Sequence, residues 1–569
     1  MTLASQILAR RMRLPHARTH DLIRERDLRV PMDDGAVLLA DRWVAEATSE
    51  RPQPTVLVRS PYGRRQVVAL LFGRLLAERG LQVVIQSVRG TFGSEGEFTP
   101  FDERADGLAT LRWLRRQPWH SDRIGMIGAS YLGLVQWAVA PEAGDDLAAL
   151  AIEVSASQFH GQTHAGGSMS LETVASWMVL VTGQERRLAL LAMAYGLRRL
   201  PALLDQLPLS DLDERVTGAQ VAWYREGVGS PLREDAYWVA RDFAAGVGDV
   251  TAPVQLIGGW QDIFLPWMLD DFAALKAAGR DPQLIIGPWT HTAPGLTAAA
   301  LREGLGWLRA GLLDDDRLVR PGAVQLYVTG ERAGGGWRQV ESWPPPGTRE
   351  RRLWLHDRGR LDDAQPAETS TPDRYRYDPA DPTPSVGGPV LLEREAIVDN
   401  RPLEARLDVL TYTGAPLPSV FEAIGPVRVE LWMRASSPHF DVFARVCDVD
   451  RQGASLNVCD ALVRIEPGRF DPTADGTRKV SFDLWPTAHR FAAGHRIRLQ
   501  VSSGAHPRYV RNPGTGEDPT AATSIRAVEI EVFHDAGHRS VLVLPAASDG
   551  EAHQNKIDGR SWVEPSGDV

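Results

Sequence analysis

The sequence predicts an α/β core that is interrupted by a helical insertion and followed by an all-β domain. Up to residue 154, short apolar runs alternate with helical patterns, which is typical of a parallel sheet covered by helices. Residues 155–248 carry mostly helical patterns, and beyond residue 350 short alternating runs separated by turn residues replace them. We therefore expect four segments: a core (1–154), a helical cap (155–248), a second part of the core (249–349) and a jelly-roll β-sandwich (350–569).

The expected core elements follow one another in a regular order. Buried-strand runs are separated by helical patterns, one of which ends at Gly80, a plausible C-cap. The same strand–loop pattern returns after the cap. The expected strands are 55–60, 81–88, 123–130, 254–262, 282–291 and 324–330, and the expected early helices are 69–80, 102–116 and the one that follows Ser130.

Composition excludes several classes of protein. The net charge of −10 gives no electrostatic reason to expect nucleic-acid binding. The two cysteines, Cys447 and Cys459, are too few for a disulfide framework, and we expect buried free thiols on a hairpin that turns near Gly453. The chain has no apolar stretch long enough to span a membrane and no secretory pattern at its N-terminus, so we expect a cytoplasmic protein.

A candidate nucleophile lies where an expected strand meets an apolar helix. The segment Gly128-Ala129-Ser130-Tyr131-Leu132-Gly133 fits a sharp strand–turn–helix elbow, in which a serine hydroxyl is exposed above the sheet. The helix N-terminus adds positive potential where an oxyanion would develop. The second glycine stands one position later than in the usual G-x-S-x-G pattern. A purely structural glycine–serine turn is the alternative.

Several longer segments resemble one family. The stretch DGLATLRWLRRQPWHSDRIGMIGASYLG around Ser130, the loop SVRGTFGSEGEF and the later segment GHRIRLQVSSGAHPRYVRNPGTG are similar to the cocaine esterase / X-prolyl dipeptidyl peptidase family of serine hydrolases. The resemblance extends over nearly the whole chain. It implies an α/β-hydrolase core, a helical cap and a C-terminal jelly-roll domain.

A serine nucleophile needs a base and a carboxylate that orients the base. Asp262 and His291 each follow an expected strand, and the carboxyl ends of parallel strands meet at one edge of the sheet. The family places its acid in a G-W-x-D loop and its histidine in a G-P-W-x-H loop, which match these two positions. The competing candidates are Asp270 and Asp271, expected to be solvated, and His160 and His164, which could be pocket residues in the cap.

Two donors are expected for the oxyanion hole. One is the backbone N–H of Tyr131, the residue after the candidate nucleophile. The resemblance implies that the other is the phenol of Tyr62, in a Ser-Pro-Tyr loop after an early strand. A phenol O–H is a competent neutral donor. The alternative is that Tyr62 only packs under the cap.

The resemblance also bears on the substrate. The family's α-amino-acid ester hydrolases carry acidic residues shortly after the catalytic acid, whereas Ile263-Phe264-Leu265 stand here, so an ammonium group would lack a partner. The family's X-prolyl peptidases are longer and carry an extra N-terminal domain, whereas the expected core begins here near residue 25. This difference favours the other activities of the family. Phe264 resembles the aromatic of the family's acyl pocket, and Trp177 falls where the family has a tryptophan. Trp260 and Trp289 flank the loops of the acid and the histidine as further candidates for substrate binding.

We therefore expect a serine carboxylesterase that hydrolyses small-molecule esters of aromatic or medium apolar acyl groups through an acyl-enzyme, without a cofactor or metal. Alternatives are an amidase or acylase, an X-Pro or α-amino-acid ester hydrolase, and a jelly-roll binding protein with an inactive core. The C-terminal domain can either close one wall of the active site or mediate contacts in a homodimer.

Overall fold

A ten-stranded sheet lies at the centre of the first 340 residues in the computed structural model, which describes residues 3–320, 322–330, 334–392 and 395–547. The strand order is β1-β2-β4-β3-β5-β6-β7-β8-β9-β10, and the seven strands from β4 to β9 in this order are parallel. The bounds are β1 Leu22–Pro31, β2 Val37–Ala45, β3 Gln53–Ser60, β4 Gln82–Ser87, β5 His120–Ala129, β6 Leu147–Glu153, β7 Val254–Gln261, β8 Gln283–Thr290, β9 Val324–Val328 and β10 Gly336–Val340.

Helices cover both faces of this sheet. Helix α14 packs against β5, β6 and β7, and α5 packs against β3, β5 and β6. No helix within the described ranges is both long and apolar enough to cross a membrane. The helices of the core are α1 Leu3–Arg11, α2 Gln66–Val68, α3 Leu75–Ala77, α4 Arg104–Arg115, α5 Tyr131–Trp137 and α6 Ala140–Ala143, followed beyond the cap by α13 Leu265–Ala277 and α14 Pro294–Leu313.

The single helix expected over residues 69–80 has a different form. A π-helical segment, Ala69–Arg74, lies between the short helices α2 and α3. At Gly73 a Cβ atom would lie 2.8 Å from Trp43 Nε1, so this segment approaches β2 more closely than a larger residue allows. Gly80 has φ 86°, the left-handed conformation expected at a helix end.

The cap is inserted between β6 and β7. It consists of α7 His160–Thr163, α8 Leu171–Gly183, α9 Ala189–Leu204, α10 Leu212–Thr217, α11 Ala222–Val228 and α12 Ala236–Val239. Apolar side chains of α8, α9, α10 and α11 form a cluster of their own, which includes Met178, Leu200 and Leu212. The expectation of a mostly helical insertion at this place is confirmed.

Strands dominate the C-terminal region, as expected. Their order is β13-β20-β15-β21-β11-β12-β14-β19-β16-β17, with β18 paired to β15, and all pairs except β12–β14 are antiparallel. Residues 548–569 of the expected β-sandwich segment lie outside the described residues. The bounds are β11 Arg349–His356, β12 Arg360–Asp362, β13 Asp373–Tyr377, β14 Leu410–Thr413, β15 Phe421–Ala435, β16 Phe440–Val449, β17 Ser455–Ile465, β18 Arg478–Phe491, β19 Arg496–Ser502, β20 Val528–Phe533 and β21 Val541–Ala546, with one short helix, α15 Arg401–Glu404.

The expected hairpin near Gly453 is formed by β16 and β17, and Gly453 has φ 88° at the turn. Cys447 and Cys459 are both buried and free, as predicted. Burial raises the pKa of the Cys447 thiol to about 12 and also raises that of Cys459, so both thiols are protonated and unreactive at neutral pH.

The β-domain contacts both the cap and the core. Gly166 of the cap lies so close to β17 that a Cβ atom would be 1.8 Å from the Leu462 carbonyl oxygen. The side-chain amide of Gln261, at the end of β7, donates to the Val458 carbonyl oxygen at 3.2 Å. The β-domain therefore lies beside the edge of the sheet at which Asp262 and His291 follow their strands.

Candidate active site

Ser130 occupies a sharp turn between β5 and α5. Its backbone has φ 58° and ψ −121°, a conformation that a non-glycine residue adopts only where the surrounding structure imposes it. Three backbone hydrogen bonds hold it here. The Ser130 N–H donates to the Glu153 carbonyl oxygen at 2.9 Å, and the Ser130 carbonyl accepts the N–H groups of Gly133 and Leu134.

The two glycines of the elbow are required by close contacts. A Cβ atom on Gly128 would lie 2.4 Å from Leu132 Cβ, and one on Gly133 would lie 2.4 Å from Ser155 Cβ. Both distances are far below the 3.5–4.0 Å of a normal carbon–carbon contact. The second glycine, off the usual spacing, thus lets α5 approach the loop that follows β6.

Asp262 and His291 are hydrogen-bonded to each other. His291 Nδ1 donates to Asp262 Oδ2 at 2.6 Å, and the other oxygen of Asp262 accepts the Phe264 N–H at 2.9 Å. Both side chains are buried. Asp262 is thus an acceptor held in place by the turn that starts α13, and it fixes the orientation of the His291 imidazole.

Asp262 and His291 directly follow β7 and β8, and the ends of these two strands approach each other closely. A Cβ atom on Gly259 would lie 2.2 Å from the Trp289 carbonyl oxygen. This approach brings the loop after β7 beside the loop after β8, as expected from their parallel pairing. Of the two hydrogen bonds that a Ser–His–Asp triad requires, the described residues form the one between Asp262 and His291.

Tyr62 follows β3 and lines the same pocket as Ser130. Its backbone N–H donates to Ser60 Oγ at 3.0 Å, and its phenol oxygen accepts the indole N–H of Trp177 at 3.1 Å. Burial raises the pKa of the Tyr62 phenol to about 12, so the group is a neutral donor at physiological pH.

Tyr131 is held by a buried network that the sequence did not reveal. Its phenol donates to Glu103 Oε1 at 2.6 Å and accepts the Phe101 N–H at 2.9 Å. Glu103 in turn pairs with the buried Arg59 at 2.9 Å. Burial raises the pKa of the Glu103 carboxyl despite the neighbouring guanidinium, and it raises that of Tyr131 as well. The network anchors the first residue of α5 and with it the backbone N–H beside Ser130.

A pocket that is partly open to solvent lies beside Ser130, and its empty space, with the open solvent at its mouth included, is about 650 Å³. Its wall combines residues of the core, the cap and one residue from the start of the β-domain, Leu391. None of the described residues that line it is charged. They are Tyr62, Phe101, Ser130, Tyr131, Phe159, Gln162, Thr163, Met169, Thr173, Val174, Trp177, Trp223, Tyr224, Gly227, Val228, Tyr237, Trp238, Ile263, Phe264 and Leu391.

The predicted pocket residues divide into two groups. Phe264 and Trp177 line the pocket, and the Phe264 ring centroid lies 5.6 Å from that of His291. Trp260 and Trp289 lie outside it. The Trp260 indole donates to the Tyr327 carbonyl oxygen at 2.6 Å, and Trp289 packs on Trp337 at a ring distance of 5.8 Å. These contacts correct the expectation for the two tryptophans: they stabilise the sheet edge rather than line the pocket.

None of the four competing candidates lines the pocket, although the rings of His160 and His164 both contact the wall residue Trp238. His160 Nε2 contacts the Pro231 carbonyl oxygen at 2.9 Å, and its ring stacks on that of His164 at 5.0 Å. The expectation that Asp271 is solvated is wrong. Asp271 is buried, its pKa is raised by burial to about 8, and it accepts the backbone N–H and the hydroxyl of Ser157 at 2.8 and 2.5 Å. Asp270, the next residue toward the N-terminus, is exposed as expected.

Most of the cap residues in the pocket wall were missed. Trp223 and Tyr224 come from α11, and Tyr237 and Trp238 come from α12. Their aromatic character was the only available signal, because the short helices α11 and α12 have no long periodic pattern that would show which face is buried.

Comparison with known proteins agrees with this geometry. The chain matches the profile of the X-Pro dipeptidyl-peptidases of the S15 family over residues 34–293. It matches the C-terminal non-catalytic domain of X-Pro dipeptidyl-peptidases over residues 319–543. It is 31% identical over 538 residues to the cocaine esterase of Rhodococcus sp. (strain MB1 Bresler), an alignment that covers 86% of this chain and 92% of that protein.

Two solved structures share the fold over nearly the whole chain. An aminopeptidase from a marine sediment Thaumarchaeota archaeon superposes with a TM-score of 0.78 at 21% identity, and covers 94% of this chain and 99% of its own. An α-amino acid ester hydrolase superposes with a TM-score of 0.77 at 21% identity, with 94% and 98% covered. The resemblance in fold and the sequence identity agree: the chain belongs to the cocaine esterase / X-prolyl dipeptidyl peptidase family and is a serine ester hydrolase.

Proposed function

We propose that this enzyme is a carboxylesterase for uncharged aromatic or medium apolar acyl groups, with Ser130 as nucleophile, His291 as base and Asp262 as the acid that orients it. The observation that carries the proposal is the pocket beside Ser130, whose wall has no charged residue in the part of the chain that the structure describes. An acyl group that enters it exchanges water for apolar and aromatic surface, at a gain of about 25 cal/mol per Å² of apolar area.

The reaction follows from the roles of the three residues. Ser130 Oγ attacks the acyl carbon while its proton passes to His291 Nε2, and the Asp262 carboxylate stabilises the resulting imidazolium. The bond from the acyl carbon to the alcohol oxygen then breaks, and the proton on Nε2 goes to the departing alcohol. Water, activated by the same nitrogen, cleaves the acyl-enzyme and restores the serine hydroxyl.

Two donors would stabilise the negative oxygen of each tetrahedral intermediate. They are the backbone N–H of Tyr131, at the start of α5, and the O–H of Tyr62. Tyr62 keeps its proton because its pKa is about 12, so the donor is available across the physiological pH range.

A free ammonium group does not suit this pocket. X-Pro peptides and α-amino-acid esters both carry one near the scissile bond, and burial of an unpaired cation is costly. Asp270 is exposed, and Asp271 is buried, accepts two hydrogen bonds from Ser157 and does not line the pocket. The residues that follow Asp262 are apolar, which supports neutral substrates over charged ones.

Amide cleavage is the second candidate, because the triad chemistry is the same for esters and amides. The match to the X-Pro dipeptidyl-peptidase profile keeps this candidate open. We further propose that segments 1–154, 155–248, 249–349 and 350–569 act as core, cap, core and β-domain of a cytoplasmic enzyme, in which the cap and Leu391 complete the pocket wall.

A matched pair of substrates tests the proposal. Phenylacetate and phenylglycine esters of the same alcohol differ only by an α-ammonium group, so the ratio of their kcat/KM values isolates its effect. We expect the phenylacetate ester to be favoured by about 10- to 100-fold, because an unpaired charged group costs about 1–3 kcal/mol. Ser130→Ala should abolish turnover of both. A preference for the phenylglycine ester, or for X-Pro anilides, would refute the substrate assignment, and retained activity in Ser130→Ala would refute the mechanism.

A further inference from the structure

Cap helix α8, together with Gln184 directly after its last residue, contacts the loop that carries Tyr62 through two side chains. The Trp177 indole N–H donates to the Tyr62 phenol oxygen at 3.1 Å, and Gln184 Nε2 donates to the Pro61 carbonyl oxygen at 2.8 Å. The two residues are seven positions apart, close to two helical turns, so both point from the same side of the helix. Helix α8 therefore binds this loop at two points.

We propose that Trp177 is a positioning residue for the oxyanion donor Tyr62. An indole N–H can only donate, so it occupies a lone pair of the phenol oxygen and the phenol proton must point away from Trp177. Among the described residues no acceptor takes that proton, and Tyr62 lines the pocket together with Ser130. The hydroxyl is thus left to donate to an oxygen that develops beside Ser130.

Trp177 also contacts the residue that supplies the other donor. Its ring stacks on that of Tyr131 at 6.2 Å and an angle of 16°, and on that of Phe101 at 5.6 Å and 20°. Tyr131 is fixed in turn by its hydrogen bond to Glu103. One indole therefore contacts both residues that supply the oxyanion donors, Tyr62 by a hydrogen bond and the Tyr131 side chain by ring stacking.

This inference rests on the proposed function, and it differs from a simple role in substrate binding. If Trp177 were only part of the pocket wall, its loss would weaken substrate binding and raise KM. A residue that aligns Tyr62 acts on the transition state, so its loss should lower kcat and leave KM nearly unchanged. Its effect should also depend on whether Tyr62 has a hydroxyl.

The test is a double-mutant cycle with a neutral ester as substrate. Tyr62→Phe removes one oxyanion donor and should lower kcat by about 10²- to 10³-fold. Trp177→Phe keeps an aromatic ring but removes one hydrogen bond, so kcat should fall by about 3- to 10-fold. In the Tyr62→Phe background the same substitution should change kcat less than about 2-fold. The inhibition constant of phenylboronic acid, which forms a tetrahedral serine adduct, should rise in parallel with the loss of kcat.

The matched control is Trp223→Phe. Trp223 lines the same pocket and contacts Trp177 edge to face at 5.0 Å, but its indole N–H does not bond to Tyr62. Its effect on kcat and KM should therefore be the same with and without the Tyr62 hydroxyl. Gln184→Met is the second variant, which removes the contact with Pro61 without altering the pocket wall, and its loss of kcat should likewise require Tyr62.

Each outcome of the cycle either supports or overturns the positioning role of Trp177. Equal losses for Trp177→Phe in both backgrounds, or a change in KM alone, would overturn the positioning role while Ser130→Ala remains inactive. If Trp177→Phe does not fold, Gln184→Met decides by the same cycle. Activity retained by Ser130→Ala would instead overturn the proposed function itself.

Discussion

Replacing Glu103 by Gln should lower the free energy of unfolding and leave the shape of the active site nearly unchanged. Glu103 and Arg59 are both buried, and their side chains pair at 2.9 Å. Glutamine still offers an oxygen to the Tyr131 hydroxyl, which Glu103 accepts at 2.6 Å. The substitution therefore removes one charge and leaves the Arg59 guanidinium uncompensated in the interior.

The magnitude follows from the remaining partners of Arg59. Its Nε still donates to Gln86 at 2.8 Å, and one terminal nitrogen donates to the Glu103 main-chain oxygen at 3.0 Å. The other terminal nitrogen, Nη2, is buried and has no hydrogen-bond partner among the described residues. Breaking a buried ion pair costs about 3–5 kcal/mol, and the retained bonds place the expected loss near the lower end, at about 3 kcal/mol.

Equilibrium urea unfolding, followed by tryptophan fluorescence, measures this loss. The control is the double variant Arg59→Met/Glu103→Gln, which removes both charges. It should recover at least half of the lost stability, because an apolar replacement removes the uncompensated cation. A Glu103→Gln protein within about 0.5 kcal/mol of wild type, or a double variant less stable than the single one, would refute the reasoning.

Three further predictions concern other positions around the elbow. Burial raises the pKa of Glu153 to about 8, so the folded state keeps a proton that the unfolded state releases near pH 4.5. The free energy of unfolding therefore falls by about 1.4 kcal/mol per pH unit as the pH rises from 4.5 to 8. Glu153→Gln should match wild type at pH 4.5 and exceed its melting temperature at pH 8; equal melting temperatures at pH 8 would contradict this. Gly133→Ala places a Cβ 2.4 Å from Ser155 Cβ and should cost about 1–3 kcal/mol, whereas Gly248→Ala, which meets Ala278 at 3.4 Å, should cost less than about 1 kcal/mol. Phe264→Ala should raise KM for aromatic esters more than for acetate esters, and an equal rise for both would place Phe264 outside the acyl site.

The elements that could be predicted from the sequence are those with a strong local pattern. The runs that form β3, β4, β5, β7, β8 and β9 are short, apolar and separated by helices or loops, which indicates a parallel sheet without further information. The outer strands β1, β2 and β10 were missed, and so was the inner strand β6. Strand β1, LIRERDLRVP, has mostly half-buried and exposed residues, because it lies at the edge of the sheet and its charged side chains reach solvent.

The burial of Asp271 is indicated by its spacing from apolar residues in the sequence of α13. Asp271 shares one side of α13 with Met268, Phe272 and Leu275, which lie at helical spacing and are all buried. A carboxylate on such a face must find donors, and Ser157 supplies two of them. The spacing alone could have shown that Asp271 is buried, whereas its partner comes from a loop 114 residues away and could not have been predicted.

The pocket wall could not be predicted from local pattern, because it is assembled from the core, the cap and Leu391. The elbow could be predicted from the sequence, because the close contacts of a tight strand–helix turn leave no room for a side chain at its two glycines. The usual second glycine position is filled by Leu132, whose Cβ occupies the space that a side chain on Gly128 would need. The glycine requirement moves to position 133, where α5 meets Ser155. The elbow therefore requires space on two sides of α5, one at Gly128 and one at Gly133. The spacing of the two glycines depends on which neighbouring residue the helix contacts.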